Sequence, residues 1–153
     1  MRKENPEFYL RIGLEYLQDE KHEGAISFLN SAIRVDPNLA EAYQFRGIAH
    51  FALGNYQAAL DDYNTALSLD STLHMVYVFR ALYFIEIKLY HVAIEDLSLA
   101  IQLNKHCAEA YFFRGGCKGM VDDLKGGTFD IMAAAQLGMR EAQKTLNERG
   151  IPW

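Results

Sequence analysis

A 34-residue period runs through the sequence and constrains the fold more than any other feature. With Pro6, Ala40, His74 and Ala108 as first positions, each copy begins 34 residues after the one before it. The fourth position is tyrosine and the twenty-seventh is alanine in every copy, while the eighth and twentieth hold only glycine or alanine. Self-similarity at a fixed period of this length predicts a repeat architecture.

The spacing inside one copy predicts two helices. The fourth, eighth and eleventh positions share one helical face, and the twentieth, twenty-fourth and twenty-seventh share another. Glycine or alanine at the eighth and twentieth positions lets the two helices approach closely. Turn residues such as Gly54-Asn55 and Asp122-Asp123 separate them. The predicted helices are 7–19, 22–35, 39–53, 56–69, 73–87, 90–103, 107–121 and 124–137, followed by a polar helix at 139–149.

The period and the residue types resemble the tetratricopeptide repeat family. The resemblance covers about residues 6–141, and Pro37 occupies the closing proline position of the first copy, where later copies have Ser71, Lys105 and Met139. It implies an all-α fold, a right-handed α-solenoid of four 34-residue helix-turn-helix repeats plus a C-terminal capping helix. The implied organisation is a single domain over 1–153, with repeats 6–39, 40–73, 74–107 and 108–141 and a capping helix at about 139–149.

The seventh position of each copy predicts an ion pair inside the repeat. It holds Ile12 in the first copy and arginine in the other three, and the twenty-third position holds Phe28 and then three aspartates. Because every copy with arginine also has aspartate, we predict pairs that join the two helices of a repeat, not a row of anion-binding arginines. The predicted structural pairs are Arg46–Asp62, Arg80–Asp96 and Arg114–Asp130.

The second, sixth, ninth and thirteenth positions of each first helix point away from its partner helix. In stacked repeats such faces line a concave surface, and the sixth position here is Phe45, Phe79 or Phe113 in the last three copies. Exposed apolar surface of this kind marks a binding site, unless the rings pack on neighbouring first helices or under a chain end. The predicted partner-binding groove comprises Arg11, Leu14, Gln18, Phe45, Ile48, Met75, Phe79, Leu82, Glu86, Phe113, Gly116 and Met120.

The fourth first helix carries two unusual glycines, Gly116 and Gly119. Each costs about 1 kcal/mol relative to alanine inside a helix. Two explanations stay open, namely close docking of helix 139–149 or a pocket at the C-terminal end of the groove, bounded by Phe113 and Met120.

One subgroup of the family grips C-terminal carboxylates with lysine, asparagine and arginine at five first-helix positions. This chain differs at all five, so the resemblance does not imply a carboxylate clamp. The residues at those positions are Leu10, Leu14, Phe45, Met75 and Phe79.

Composition and motifs argue against several other classes of function. Half of the residues are hydrophobic and 23% are charged, as expected for a folded protein. The net charge of −5 disfavours nucleic-acid binding, and no apolar run reaches the ~20 residues needed for membrane insertion. The sequence from Met1 to Pro6 lacks a signal-peptide pattern, so we expect a cytoplasmic location. We find no catalytic residues, no cofactor site and no metal site.

These features predict a protein–protein interaction module, not an enzyme. The expected partner is another protein, which presents an apolar peptide or amphipathic helix to the groove with about micromolar affinity. Two alternatives remain, a chaperone for an aggregation-prone (for example secreted) client and a homo-oligomerising scaffold whose groove receives another copy.

Overall fold

Helical hairpins make up the fold in a computed structural model that describes residues 5–153. Every helix agrees with its predicted range to within one residue at each end, and the described residues contain no strand. The predicted all-α helical repeat fold is confirmed. The helices are α1 (Pro6–Gln18), α2 (His22–Val35), α3 (Ala40–Ala52), α4 (Tyr56–Leu69), α5 (His74–Glu86), α6 (Tyr90–Leu103), α7 (Ala108–Met120), α8 (Leu124–Gln136) and α9 (Arg140–Glu148).

The helices group into two compact units. The first extends to Val76 and the second runs from Tyr77 to Trp153. In the first unit α1 packs on α2, α2 on α3 and α3 on α4; in the second, α6 packs on α7, α7 on α8 and α8 on α9. Residues 1–4 of the predicted domain lie outside the described residues, and a single domain over 1–153 stays a prediction.

The turn inside each hairpin is closed by one residue in the left-handed region of backbone space. The next residue's N–H then bonds back into the first helix, as from Lys21 to the carbonyl of Tyr16 at 2.9 Å, which satisfies a carbonyl that the helix end would leave free. Glycine adopts this conformation without strain, yet only one of the four turns uses it. The four residues are Glu20 (φ 58°), Gly54 (φ 76°), Lys88 (φ 62°) and Asp122 (φ 65°).

Glycine at the eighth position makes room for the large residue at the twenty-fourth in the first unit. A Cβ on Gly13 would lie 2.8 Å from Cγ of Leu29, and a Cβ on Gly47 would lie 2.5 Å from Cε1 of Tyr63. Both large side chains are at most 1% exposed. Each hairpin therefore seats one large side chain of its second helix against a glycine of its first.

In the second unit the backbones of α7 and α8 touch. A Cβ on Gly115 would lie 2.8 Å from the carbonyl oxygen of Gly127, and a Cβ on Gly127 would lie 2.7 Å from that of Gly115. Glycine is therefore required on both sides of this contact.

Helix α9 covers the end of the second core. Its Ala142 and Leu146 are fully buried against α8 residues that include Ala134 and Ala135, while most of its other residues are exposed. Beyond it, Trp153 donates from Nε1 to Oδ1 of Asn147 at 3.1 Å. Nowhere in residues 5–153 does a helix combine the length and apolar character needed to cross a membrane.

Candidate partner-binding surface

The arginines of the seventh position contact the aspartates of the same repeat in a bidentate geometry. In the second repeat, Arg46 donates from Nε to Oδ2 of Asp62 at 2.9 Å and from Nη2 to Oδ1 at 2.6 Å. The aspartate is 5% exposed, and its hydrogen bonds raise the pKa of the Arg46 guanidinium above its usual value. The corresponding distances are 2.8 and 2.7 Å for Arg80–Asp96 and 2.8 and 2.8 Å for Arg114–Asp130.

Two of these arginines, Arg46 and Arg114, also reach the preceding repeat, a contact that sequence analysis missed. Arg46 donates from Nη1 to Oδ1 of Asn30 at 2.7 Å, and Arg114 donates from Nη1 to Oγ of Ser98 at 3.0 Å. Each acceptor stands 16 residues before its arginine, as the aspartate stands 16 after it. This symmetry could have revealed the contact. The guanidinium groups of Arg46 and Arg114 thus each join three helices, which explains their positions without a ligand.

In the first unit, the predicted groove residues include two polar side chains on α1, and the others are apolar. Arg11 and Gln18 are exposed, and Arg11 forms an exposed ion pair with Glu15 at 2.9 Å. Phe45 is half-buried and packs partly against the core around Ala25 and Leu29. The other predicted groove residues of this unit, all half-buried, are Leu14, Ile48 and Met75.

In the second unit, the predicted groove residues become more exposed towards the end of α7. Phe79, Leu82 and Phe113 are half-buried and Glu86 is exposed. Gly116 and Met120 are also exposed, Met120 at 61%. None of the three phenylalanine rings in the two units is fully buried, so each keeps surface that a partner can contact.

An apolar cavity of about 390 Å³ opens beside the end of α7. A volume of this size lies in the range of small-ligand and side-chain pockets. It is bounded by Phe113, Gly116 and Met120 of the predicted groove, by other residues of α7, and by residues of four other helices or their turns. These other lining residues are Ile85, Tyr90, Phe112, Cys117, Ile131, Thr145 and Arg149.

A second cavity of about 250 Å³ adjoins the first. Gly119 and Leu124 line this one, and the two cavities share Gly116, Met120, Ile131 and Arg149 as lining residues. They are parts of one recess on the second unit.

The two α7 glycines keep this recess open. A Cβ added to Gly116 or Gly119 would meet no atom within 4 Å. Close docking of helix 139–149, one of the two explanations offered by the sequence, is therefore wrong for these positions. The other explanation, a pocket bounded by Phe113 and Met120, agrees with the cavity that lies there.

Arg149 is the single charged side chain among the described residues that line either cavity. No ion pair or hydrogen bond of its side chain occurs within residues 5–153. Thr145, the polar residue that α9 contributes, already donates its hydroxyl to the carbonyl of Glu141 at 2.8 Å. Sequence analysis missed Arg149 and Thr145 because the segment after residue 141 belongs to no complete 34-residue copy, so no periodic column marks them.

Cys117 forms part of the cavity wall and is 2% exposed. Burial raises the pKa of its thiol to about 11, so the thiol is neutral at physiological pH and behaves as an apolar wall atom. Within the part of the chain that the structure describes, no three His, Cys, Asp or Glu side chains are arranged to hold a metal ion.

Comparison with known proteins relates the chain to helical repeat proteins. A family model for the tetratricopeptide repeat matches residues 12–84. Among solved structures, MamA 41-end from Desulfovibrio magneticus RS-1 is 25% identical with a TM-score of 0.76, covering 87% of this chain and 75% of that one. YrrB, described as a TPR protein with an unusual peptide-binding site, is 21% identical with a TM-score of 0.76, covering 90% and 71%.

A third structure contains a bound peptide. The first TPR of Spaghetti (RPAP3), bound to the HSP90 peptide SRMEEVD, is 26% identical with a TM-score of 0.67, covering 71% of this chain and 88% of that one. No curated protein sequence matched this chain. The likenesses establish a fold that serves protein–protein interaction, without naming a partner for this chain.

Proposed function

Because the chain is a tetratricopeptide repeat protein, we propose that it is an adaptor or scaffold that binds an apolar helical or extended segment of a partner protein. The binding surface consists of first-helix faces that point away from their hairpin partners. The open cavity beside Phe113, Gly116 and Met120 is the observation that carries this proposal. Filling an apolar recess of this size with an apolar group removes apolar surface from water, which favours binding.

The energetics favour a moderate affinity. Full burial of one large apolar side chain contributes about 1.5–3 kcal/mol, and ordering the partner offsets much of the sum over several anchors. We therefore expect about micromolar binding. Salt should weaken binding only slightly, because most anchor contacts are apolar.

The peptide complex of RPAP3 supports binding of a peptide by a related fold. We do not extend its HSP90 ligand to this chain, because Leu10, Leu14, Phe45, Met75 and Phe79 replace the polar residues of the carboxylate-gripping subgroup. The proposed partner segment has apolar anchors. The proposed role is binding without catalysis, in a cytoplasmic setting in which Cys107 and Cys117 stay free.

Substitution of the first-helix phenylalanines tests the proposal. Full-length chains with Phe45→Ser, Phe79→Ser or Phe113→Ser are used to pull partners from native lysate, and their thermal unfolding is recorded in parallel. Phe129→Ser is the matched control, since Phe129 is 61% exposed on α8 and lines neither cavity.

Partner loss in the first-helix variants, with unfolding temperatures close to that of the control, would support the proposal. If Phe129→Ser alone removed the partner, the binding surface would lie on second helices and the proposal would be wrong. If unfolding temperatures of all three first-helix variants dropped sharply, the rings would be core residues and the surface would need another explanation.

A further inference from the structure

The recess on the second unit has a distinctive charge pattern. Its walls are apolar, and Arg149 is the sole charged residue among the described residues that line it. The chain as a whole carries a net charge of −5. The positive charge of the Arg149 side chain in the recess is therefore opposite in sign to the net charge of the protein. No carboxylate lines either cavity within residues 5–153, which leaves the guanidinium available to an anion from outside.

Arg149 lines both cavities of the recess. The larger cavity holds about 390 Å³ and the smaller about 250 Å³, and both meet at Gly116 and Arg149. A ligand that fills the apolar space therefore passes the guanidinium. Arginine is suited to this position because its planar fork binds a carboxylate through two parallel hydrogen bonds.

We propose that this recess binds a peptide segment of a partner that carries one large apolar side chain and, within two residues of it, a carboxylate. The apolar side chain fills the larger cavity against Phe113 and Met120, and the carboxylate pairs with Arg149. The proposal rests on the function proposed above and adds the chemistry of the ligand. A peptide is the occupant because the fold is one of protein interaction and because two adjoining cavities suit successive side chains of one chain.

Selection from a phage-displayed library of random heptapeptides on the full-length chain provides the first test. Selected sequences should be enriched in a large apolar residue with aspartate or glutamate within two positions. Chosen peptides are then synthesised with blocked ends and a fluorescein label, and their affinities are measured by fluorescence anisotropy. Replacement of the apolar residue by alanine should weaken binding about tenfold or more, and replacement of the acid by its amide about threefold.

Two variants of the chain test the recess, one by filling it with a side chain and one by removing its positive charge. Gly116→Leu places a side chain in open space and should weaken binding about tenfold while the unfolding temperature is kept or raised. Arg149→Gln should weaken binding about threefold and remove the preference for acid over amide. The matched controls are Gln102→Leu at an exposed position of α6 and Arg140→Gln at an exposed position of α9. Both should leave the peptide affinity and the preference for acid over amide unchanged. If Gly116→Leu does not fold, Arg149→Glu replaces it as the test of the recess, because Arg149 is exposed and the substitution reverses its charge.

The outcomes separate this inference from the proposed function. If peptide binding is lost in Phe45→Ser but unchanged in Gly116→Leu and Arg149→Glu, the recess is not the peptide-binding site. The proposed function would still stand. Apolar peptides without acidic enrichment would overturn the pairing with Arg149. Selection of no peptide that responds to Phe45, Phe79, Phe113 or Gly116 would overturn both.

Discussion

Arg46 and Asp62 form a two-pronged ion pair between α3 and α4, with Nε–Oδ2 and Nη2–Oδ1 distances of 2.9 and 2.6 Å. The side chains are 21% and 7% exposed, so the pair is shielded from much of the solvent. Removal of one partner would strand the other charge in a place where it is poorly hydrated, and that loss exceeds what the intact pair contributes.

Asp62→Ala should therefore lower the free energy of unfolding by about 3 kcal/mol, the lower end for a buried pair, because the Arg46 side chain is 21% exposed. The change is measured by chemical denaturation, with Asp61→Ala, at an exposed neighbouring position, as the control. The double variant Arg46→Ile with Asp62→Phe copies the residue types of the first repeat and should recover part of the loss. Equal stability of Asp62→Ala and the unsubstituted chain would contradict this account of the pair.

Neighbouring glycines in α7 should respond to alanine in opposite directions. Gly116→Ala should raise the free energy of unfolding by about 1 kcal/mol, because alanine is the better helix former and its Cβ meets open space. Gly115→Ala should lower it, because the new Cβ would lie 2.8 Å from the carbonyl oxygen of Gly127. Thermal unfolding of the two variants side by side provides the measurement. A gain in both would mean that α7 and α8 can separate without cost.

Lys88 ends the α5 turn with φ at 62°, where residues other than glycine are strained. Lys88→Gly should raise the free energy of unfolding by roughly 0.5–1 kcal/mol. The reverse change, Gly54→Ala at φ 76°, should lower it by a similar amount. Denaturation midpoints of the two variants are compared, and a loss of stability in Lys88→Gly would show that chain entropy outweighs the strain.

His50 should make the fold sensitive to mild acid. Burial lowers the pKa of His50 below its usual 6.5, with a nearby Asp62 opposing the shift and Arg46 reinforcing it, and its Nδ1 is buried without a hydrogen-bond partner in residues 5–153. The unfolded chain therefore binds the proton more tightly than the folded one. Stability is fully present above the unfolded pKa and falls as the pH drops from 6.5 towards the folded pKa.

His50→Phe, which copies Phe84 of the third repeat, should reduce this loss. Unfolding temperatures of both chains are recorded at several values between about pH 7.5 and 5.5, where histidine titrates. Parallel curves for the two chains would exclude His50 as the source of the acid sensitivity.

The hairpins could be predicted from the sequence because repetition supplies independent copies of each structural position. Tyrosine, glycine and alanine recur at fixed places, and together they define the helix faces and the close approach between helices. The ion pairs were predicted for the same reason, since Ile12 and Phe28 replace arginine and aspartate together. Repetition thus turns a single sequence into a small internal comparison.

Features outside the period could not be predicted in this way. Arg149 directly follows α9, for which the sequence holds no second copy, and the recess it borders is lined by residues from several helices and their turns. The left-handed backbone conformation at Glu20, Lys88 and Asp122 could not be predicted, because none of these residues is the glycine that usually indicates it. There the helix-closing hydrogen bonds and the packing of the hairpin outweigh the local preference of these side chains.

Helix α9 covers apolar residues of α8 through Ala142 and Leu146, and it supplies Thr145 to the recess while Arg149 follows directly after it. An engineer who lengthened the array by splicing another hairpin after α8 would replace that helix, gaining a further repeat but dismantling the cavity wall. Growth of the scaffold directly after α8 and possession of this recess are therefore mutually exclusive, and an extension that keeps the recess would have to be inserted upstream of α5.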